Sequence, residues 1–462
     1  MAGEGSFRFF LLAGDIAFAA SMPAMNFLMA SGVEMAADVN PWMIIPFGVL
    51  LLLIAAGPVL LSDWWHHHYP KVSVGLGLIT IFYYAFALRD PARFLPVAHE
   101  YASFIALIGS LFVVAGGIHI NVKGESRPIT NVAFLAIGAV ISNIIGTTGA
   151  SMLMIRPWIR MNKYRITKFH IVIFIFIVSN VSGSLTPVGD PPLFLGYLKG
   201  VPFLWTLEHA WPAWLIAVGL LLAIFYVVDH LNFQKAPREV VEKQTAHEAW
   251  RFDGLPNLLL LAIILVAVLG NRWMPFLVPE AIMVAAAVAS YYLTPKPVHE
   301  ANDFSFAPIK EVSWLFLGIF ATMVPALDYL GRHAAEIGIT TPMQFYFATG
   351  ALSSFLDNAP TYLTFLSASL GLHHLSMDET ADVVKAVHAF PREILAISLG
   401  AVFFGAMTYI GNGPNLMVKS IADHAKVKTP NFFEYILRYA IPFLLPILVL
   451  ISLLLFSPWR VL

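Results

Sequence analysis

The chain of 462 residues contains no cysteine, so it forms no disulfide and offers no thiolate metal ligand or thiol nucleophile. Charged residues are also scarce, at 12%, whereas soluble domains carry about 25%. The net charge of −1 argues against nucleic acid as a partner, because phosphate-binding proteins carry clustered positive surface. Hydrophobic residues make up 58% of the chain, and the mean hydropathy is +0.75. These values predict an all-α polytopic membrane protein without a separate soluble domain.

A membrane-spanning helix needs roughly 20 mostly apolar residues, and about eleven segments meet this requirement. Two further apolar stretches, 129–155 and 341–370, are interrupted by small polar residues and are predicted to be re-entrant hairpins. Such irregular backbone is tolerated at membrane depth only where it is buried in protein or lines a cavity. The predicted crossings lie at residues 7–30, 42–61, 71–88, 98–120, 168–200, 211–229, 255–270, 277–293, 312–330, 393–424 and 436–457.

Basic residues orient these segments. Residues 156–168 contain five Lys or Arg and no acid, which marks this loop as cytoplasmic. Counting outward from it, predicted cytoplasmic loops contain 18 Lys and Arg and outer loops contain 8. Residues 1–41 hold an N-terminal membrane helix that is also compatible with a signal peptide, and residues 230–254 form a cytoplasmic linker. We therefore predict a multi-pass protein embedded in the lipid of a bacterial-type inner membrane.

An internal repeat relates the two halves of the chain. Residues 183–194, GSLTPVGDPPLF, align with residues 405–416, GAMTYIGNGPNL, with two glycines, a threonine and a proline identical. Each copy follows an interrupted hairpin, SNIIGTTGAS at 142–151 and SSFLDNAPTY at 353–362. Each half has five predicted crossings in the same order, so residues 42–229 and 255–462 are predicted to form repeats of inverted topology, as in many secondary transporters.

The repeated motif predicts a broken helix at 168–200 and another at 393–424, because glycine and proline interrupt helices. Unwound carbonyls and helix ends then attract ions. An ionised carboxylate at this depth costs at least about 2.5 kcal/mol, so Asp190 and Asp357 should face water, bind a cation or carry a proton. They are the predicted ligands of transported Na⁺. The full set of candidate ion or substrate ligands is Asn143, Thr147, Thr148, Thr186, Asp190, Asp357, Asn358, Thr361, Thr408, Asn412 and Asn415.

Each candidate also has a structural interpretation. Asp190 before Pro191 is a common helix N-cap arrangement, and Asp357 is compatible with a simple hairpin turn. The hydroxyls of Thr147, Thr148 and Thr361 are compatible with satisfying hairpin backbone groups. The chain has no HExxH, GxSxG or phosphate-binding glycine loop, so neither an enzymatic activity nor a resident cofactor is predicted.

With hairpins, broken helices and an inverted repeat, the chain resembles the ion transporter superfamily, which includes divalent anion/sodium symporters, citrate carriers, arsenite carriers and D-type sodium/proton antiporters. The hairpin signatures around Asn143 and Asn358 and the paired motifs at Thr186 and Thr408 carry this resemblance over residues 42–457. Dicarboxylate carriers of the superfamily typically have Ser-Asn-Thr in both hairpins, and this chain departs from that pattern. The resemblance is therefore strongest to the D-type bacterial antiporters.

The leading functional prediction is sodium (or lithium)/proton antiport, since a carboxylate at the site repels a di- or tricarboxylate unless a bound cation neutralises it. The alternative is cation-coupled symport of citrate or a dicarboxylate. A channel or an intramembrane hydrolase represents a different class, and the absence of nucleophile and base motifs argues against the hydrolase. The resemblance implies alternating access, small inorganic cations or small carboxylates as transported partners, and a homodimer.

Overall fold

The computed structural model describes residues 39–122, 127–234, 251–271 and 273–457, and the predicted crossing at 7–30 lies outside them. These residues are almost entirely helical, which confirms the all-α polytopic class. In chain order the α-helices are α1 Ile45–Leu60, α2 Ser62–Phe82, α3 Phe94–Gly116, α4 Pro128–Met161, α5 Lys168–Ile177, α6 Pro191–Lys199, α7 Trp205–Phe233, α8 Asn257–Leu269, α9 Val278–Leu293, α10 Lys296–Ala301, α11 Ala307–His333, α12 Pro342–Ser353, α13 Asn358–Leu372, α14 Thr380–Ala389, α15 Pro391–Phe404, α16 Gly413–His424, α17 Phe432–Tyr435 and α18 Leu445–Leu455.

Shorter elements connect these helices. The 3₁₀ turns are Pro41–Ile44, Pro91–Arg93, Val181–Ser184, Ala334–Ile337 and Gly405–Met407, and π-helical segments cover Tyr83–Ala87 and Ile436–Leu444. Two short strands, β1 His119–Asn121 and β2 Arg251–Asp253, pair antiparallel with His119 opposite Asp253. β2 lies at the end of the predicted linker, and α7 continues to Phe233, beyond the predicted start of that linker at residue 230.

Within the described ranges, six helical segments are long and apolar enough to cross a membrane. Shorter apolar helices and one strongly bent pair of helices account for most of the other predicted crossings. The bent pair joins α14 to α15 at an angle of 100°, so a helix stands where the sequence predicted an outer loop. The six segments are Asp63–Ala87, Pro91–Gly116, Pro128–Met161, Trp205–Phe233, Ala307–Ile337 and Phe432–Leu455.

α4 doubles back on itself at Gly146, whose φ of 78° and ψ of 155° are not helical. Asn131 Nδ2 donates to Asn162 Oδ1 over 2.8 Å. A straight helix would place these residues roughly 46 Å apart. The first hairpin therefore has two arms that meet at their open ends, with Gly146 at the tip. The second hairpin consists of α12 and α13, which pack together around a non-helical turn at residues 354–357.

The helices pack as two groups. In the first, α2 lies along α11 and α3 lies along α9, with α1 and α8 beside them. In the second, α12 packs along α15, while α4 contacts α7 and α16. α11 meets α13, and α3 meets α4, where the two groups join. Both hairpins and both broken helices thus belong to the second group.

The apolar first halves of the two broken helices lie at the centre of this second group rather than on its lipid-facing surface. Every side chain from residue 171 to residue 178 is fully buried, and residues 394–404 are also buried. A run of this composition suits lipid and protein interior equally, so only the packing distinguishes the two. The breaks at residues 179–190 and 405–412 are also largely buried, which permits the unwound backbone between the two halves of each helix.

Away from the breaks, charged groups cluster around Asp229 and around Lys199 and Arg93. Asp229 on α7 pairs with Arg165 and accepts hydrogen bonds from His170 Nε2 at 3.0 Å and Asn131 Nδ2 at 2.9 Å. At the other end of the molecule, Lys199 Nζ lies 2.7 Å from Glu100. There Arg93 bridges Asp328 and Asp378 at 2.6 and 2.9 Å.

Candidate functional site

Asp190 immediately precedes α6, the second half of the first broken helix. Its backbone is extended, with φ of −145° and ψ of 144°, and its side chain makes no N-cap hydrogen bond. The Asp190 side chain therefore does not cap α6, and the capping interpretation is wrong. The carboxylate instead turns away from its own helix and is 1% exposed.

Three donors from three other elements hold this carboxylate. Thr147 Oγ1, beside the tip of the first hairpin, donates to Asp190 Oδ1 at 2.6 Å. Asn358 Nδ2, at the start of α13 in the second hairpin, donates to Asp190 Oδ2 at 2.5 Å. Asn412 Nδ2, from the second break, donates to Asp190 Oδ1 at 3.2 Å. Both hairpins and both breaks therefore converge on one acidic side chain.

The glycines shared by the two motifs explain how the breaks fold so tightly. A Cβ on Gly189 would collide with the carbonyl oxygen of Gly183, and a Cβ on Gly411 would lie 2.7 Å from the carbonyl oxygen of Gly405. Gly146 is required for another reason, because its positive φ disfavours any other residue. The next residue, Thr147, donates its backbone N–H to Gly189 O at 2.8 Å, which fixes the tip against the first break.

The two motif threonines fasten the breaks to the hairpins. Thr186 Oγ1 donates to Asn143 O at 2.6 Å, and Thr408 Oγ1 donates to Ser354 O at 2.5 Å. Each hydroxyl also accepts a backbone N–H from the glycine three residues later. Asn143 has a similar role, since its Oδ1 accepts the N–H of Leu185 at 3.0 Å. These side chains are occupied by intramolecular bonds that shape the site.

Asp357 is placed differently from Asp190. It is half-buried and caps α13 by accepting the N–H of Ala359 at 3.0 Å. Thr361 Oγ1 donates to the Asp357 carbonyl at 2.9 Å, as expected for a residue that satisfies hairpin backbone. Asp190, rather than Asp357, is therefore the carboxylate that the convergent donors surround.

A chain of amides extends from Asp190 into the second break and includes Asn180, a residue that the sequence did not single out. Asn412 Nδ2 also donates to Asn180 Oδ1 at 3.2 Å, and Asn180 Nδ2 donates to Asn415 Oδ1 at 2.7 Å. Asn415 in turn donates to the carbonyls of Gly405 and Thr408 at 2.8 and 2.9 Å. The sequence signal that could have identified Asn180 was its position at the end of an apolar run, because a buried amide needs hydrogen-bond partners.

A small cavity lies beside Asp190, between α3 and the first hairpin tip. It has room for about one water molecule. Most of its wall is apolar, and its polar side chains are Thr147, Thr148 and Asp190. A cavity of this size accommodates a small cation and is too small for a tricarboxylate in the arrangement described.

Comparison with known proteins assigns the chain to a family. Residues 36–456 match the sequence profile of a family described as "Putative citrate transport". The chain belongs to this family. No curated protein matches the chain. Membership of the citrate transport family identifies the protein as a secondary transporter and an integral multi-pass membrane protein, and it agrees with the resemblance to the wider ion transporter superfamily.

For a member of the citrate transport family, the electrostatics of the Asp190 site are notable. Within the described part of the chain, no Lys, Arg or His pairs with Asp190. Three basic side chains on the surrounding elements pair elsewhere, namely Arg156 with Asp303, Lys199 with Glu100 and Lys419 with Asp423. The site therefore offers negative charge and neutral oxygens, which favours a cation over an unaccompanied anion.

Proposed function

We propose that this secondary transporter exchanges Na⁺ or Li⁺ for protons, with Asp190 as the group that binds either the cation or the proton. The observation that carries the proposal is the convergence of both hairpins and the second break on a buried carboxylate that has no basic partner among the described residues. Such a group in a membrane interior must be neutralised, and a proton and a metal cation are the two means that the site allows.

Asp190, Asn358, Asn412 and Thr147 form the first contacts in this proposal, and Asp357 supplies additional negative charge. The threonines of the two motifs and Asn143 hold the surrounding backbone. Because the cation is transported, no resident metal or cofactor is required. Movement of the second group of helices against the first would expose the site alternately to each side, and we place the protein, as a homodimer, in a bacterial-type inner membrane.

The second candidate function is cation-coupled symport of citrate or a related dicarboxylate, and the family description favours it. In that case the substrate would enter with a cation that offsets the charge of Asp190 and Asp357. The cavity would also have to widen, because it now has room for about one water molecule.

One transport panel separates the two candidates. Purified protein is reconstituted into liposomes that contain a pH-sensitive dye and carry an imposed pH gradient. Antiport predicts that Na⁺ or Li⁺ dissipates the gradient without citrate and that K⁺ does not. Symport predicts that labelled citrate accumulates under a cation gradient and that Na⁺ alone moves no protons. Protein-free liposomes provide the baseline, and a lack of response in both assays contradicts both candidates.

A further inference from the structure

Asn180 links the two breaks across the centre of the molecule. It is fully buried at the end of the first apolar half-helix, and its partners Asn412 and Asn415 lie more than 230 residues away in the chain. Its side chain is fully committed: Nδ2 donates to Ile175 O at 2.9 Å and to Asn415 Oδ1 at 2.7 Å, while Oδ1 accepts from Asn412.

Asn180 is one of the groups that orient the Asn412 amide with respect to Asp190. An amide can present either its NH₂ group or its carbonyl oxygen to a neighbour. Around Asn412 Nδ2 lie three acceptors at 3.2 Å, namely Asp190 Oδ1, Asn180 Oδ1 and Ser179 O. All three favour the NH₂ group on this side, so the amide orientation is set by the first break rather than by the residues next to Asn412.

The same arrangement leaves Asn412 Oδ1 available. Among the described residues, none donates a hydrogen bond to this oxygen. Amide oxygens are good ligands for hard cations. With the NH₂ group bonded to Asp190, Oδ1 of the same amide is left as a ligand for a cation.

We infer that Asn180 is a positioning residue for cation binding: it holds the Asn412 amide with NH₂ toward Asp190 and Oδ1 toward the cation. This inference rests on the proposed function of the Asp190 site and assigns a role to a residue outside both repeated motifs. Asn180 does not contact the cation itself, and its effect passes through Asn412.

The test compares two Asn180 variants with a matched control. Asn180→Leu has a similar size but removes the acceptor for Asn412. We expect the Na⁺ concentration for half-maximal exchange to rise at least about tenfold, equivalent to about 1.4 kcal/mol, while the maximal rate stays within about threefold. Asn180→Asp keeps the acceptor oxygen, and its protonated carboxyl group also keeps one donor toward Ile175 O or Asn415 Oδ1, so half-saturation should remain near the wild-type concentration.

Asn257→Leu is the control, because Asn257 is also a buried amide, bonded to Gly117 O at 2.9 Å and to Ser290 Oγ at 2.6 Å, but lies in the first group of helices. A purely structural role predicts equal losses of maximal rate in Asn180→Leu and Asn257→Leu without a selective change in half-saturation. If Asn180→Leu does not fold, Asn180→Ala takes its place and is compared in wild-type and Asn412→Leu backgrounds. Because Asn180 acts through Asn412, Asn180→Ala should not raise half-saturation further in the Asn412→Leu background, and a further rise there overturns the inference.

The outcomes are distinguishable from those of the proposed function. Unchanged half-saturation in Asn180→Leu, alongside active wild-type protein, overturns the inference alone. The same holds if Asn180→Asp binds Na⁺ as weakly as Asn180→Leu. Absence of exchange in wild-type protein instead contradicts the proposed function and, with it, the inference.

Discussion

Replacing Asp190 with asparagine is expected to reduce cation–proton exchange by at least about 100-fold, the scale typical of losing a positioned proton-transfer group. The variant keeps the size of the side chain and one acceptor oxygen for Thr147 and Asn412. The new amide NH₂ would face the Asn358 NH₂, but the Asn358 amide can turn to accept from it, because Asn358 Oδ1 has no partner at present. The fold should therefore survive while the charge and the titratable group are lost.

Dye-loaded proteoliposomes measure this effect, with protein amount and melting temperature in detergent as checks on folding. Asp357→Asn is the matched comparison. An asparagine in that position still caps α13, so we expect weaker cation binding with exchange still measurable. Exchange by Asp190→Asn at a wild-type rate would remove Asp190 from the proposed role. Equal loss in both variants would place Asp357 among the direct ligands.

Replacing Asp229 with alanine is expected to cause a large decrease in the free energy of unfolding. Asp229 is fully buried and is the shared acceptor of Arg165, His170 and Asn131. Arg165 is only 7% exposed, so alanine would remove the Asp229 carboxylate from beside a buried guanidinium. Breaking a buried ion pair in this way costs about 3–5 kcal/mol, and we expect a corresponding drop in stability to denaturant in detergent micelles.

Asp423→Ala is the control for that experiment. It breaks the Lys419–Asp423 pair, whose side chains are 30% and 42% exposed. Exposed pairs of this kind contribute about 1 kcal/mol or less, so the control should unfold close to the wild-type midpoint. Similar unfolding midpoints in denaturant for Asp229→Ala and wild-type protein would show that the Asp229 cluster does not stabilise the open end of the first hairpin.

The sequence predicted the features that depend on local chemistry. Glycine and proline spacing indicated both breaks, and a carboxylate before Pro191 in an apolar region identified Asp190 as a candidate. The same reasoning left the cap interpretation of Asp190 open, because choosing between the two requires the position of Asn358, 168 residues away. For Asp357 the local interpretation describes the geometry, since its side chain caps the helix that follows it.

Other features were beyond sequence reasoning for physical reasons. The apolar run at 171–178 is enclosed by protein, and lipid tails are as apolar as a protein core, so composition does not separate the two environments. Asn180 was not identified because its partners belong to the other repeat. α14 is a ten-residue helix with charged side chains on one face. In hydropathy alone such a segment resembles an extramembrane loop, so the sequence did not predict this helix.

The central claim is that Asp190 binds a proton and a cation in alternation, and the number of protons released on cation binding tests it most directly. Purified protein in weakly buffered detergent solution is titrated with Na⁺, with K⁺ as the control ion, while the pH is recorded. The account predicts that wild-type protein releases protons in a saturable manner and that Asp190→Asn releases none. Saturable release of the same size from Asp190→Asn, or no release from wild-type protein that is correctly folded, would contradict it.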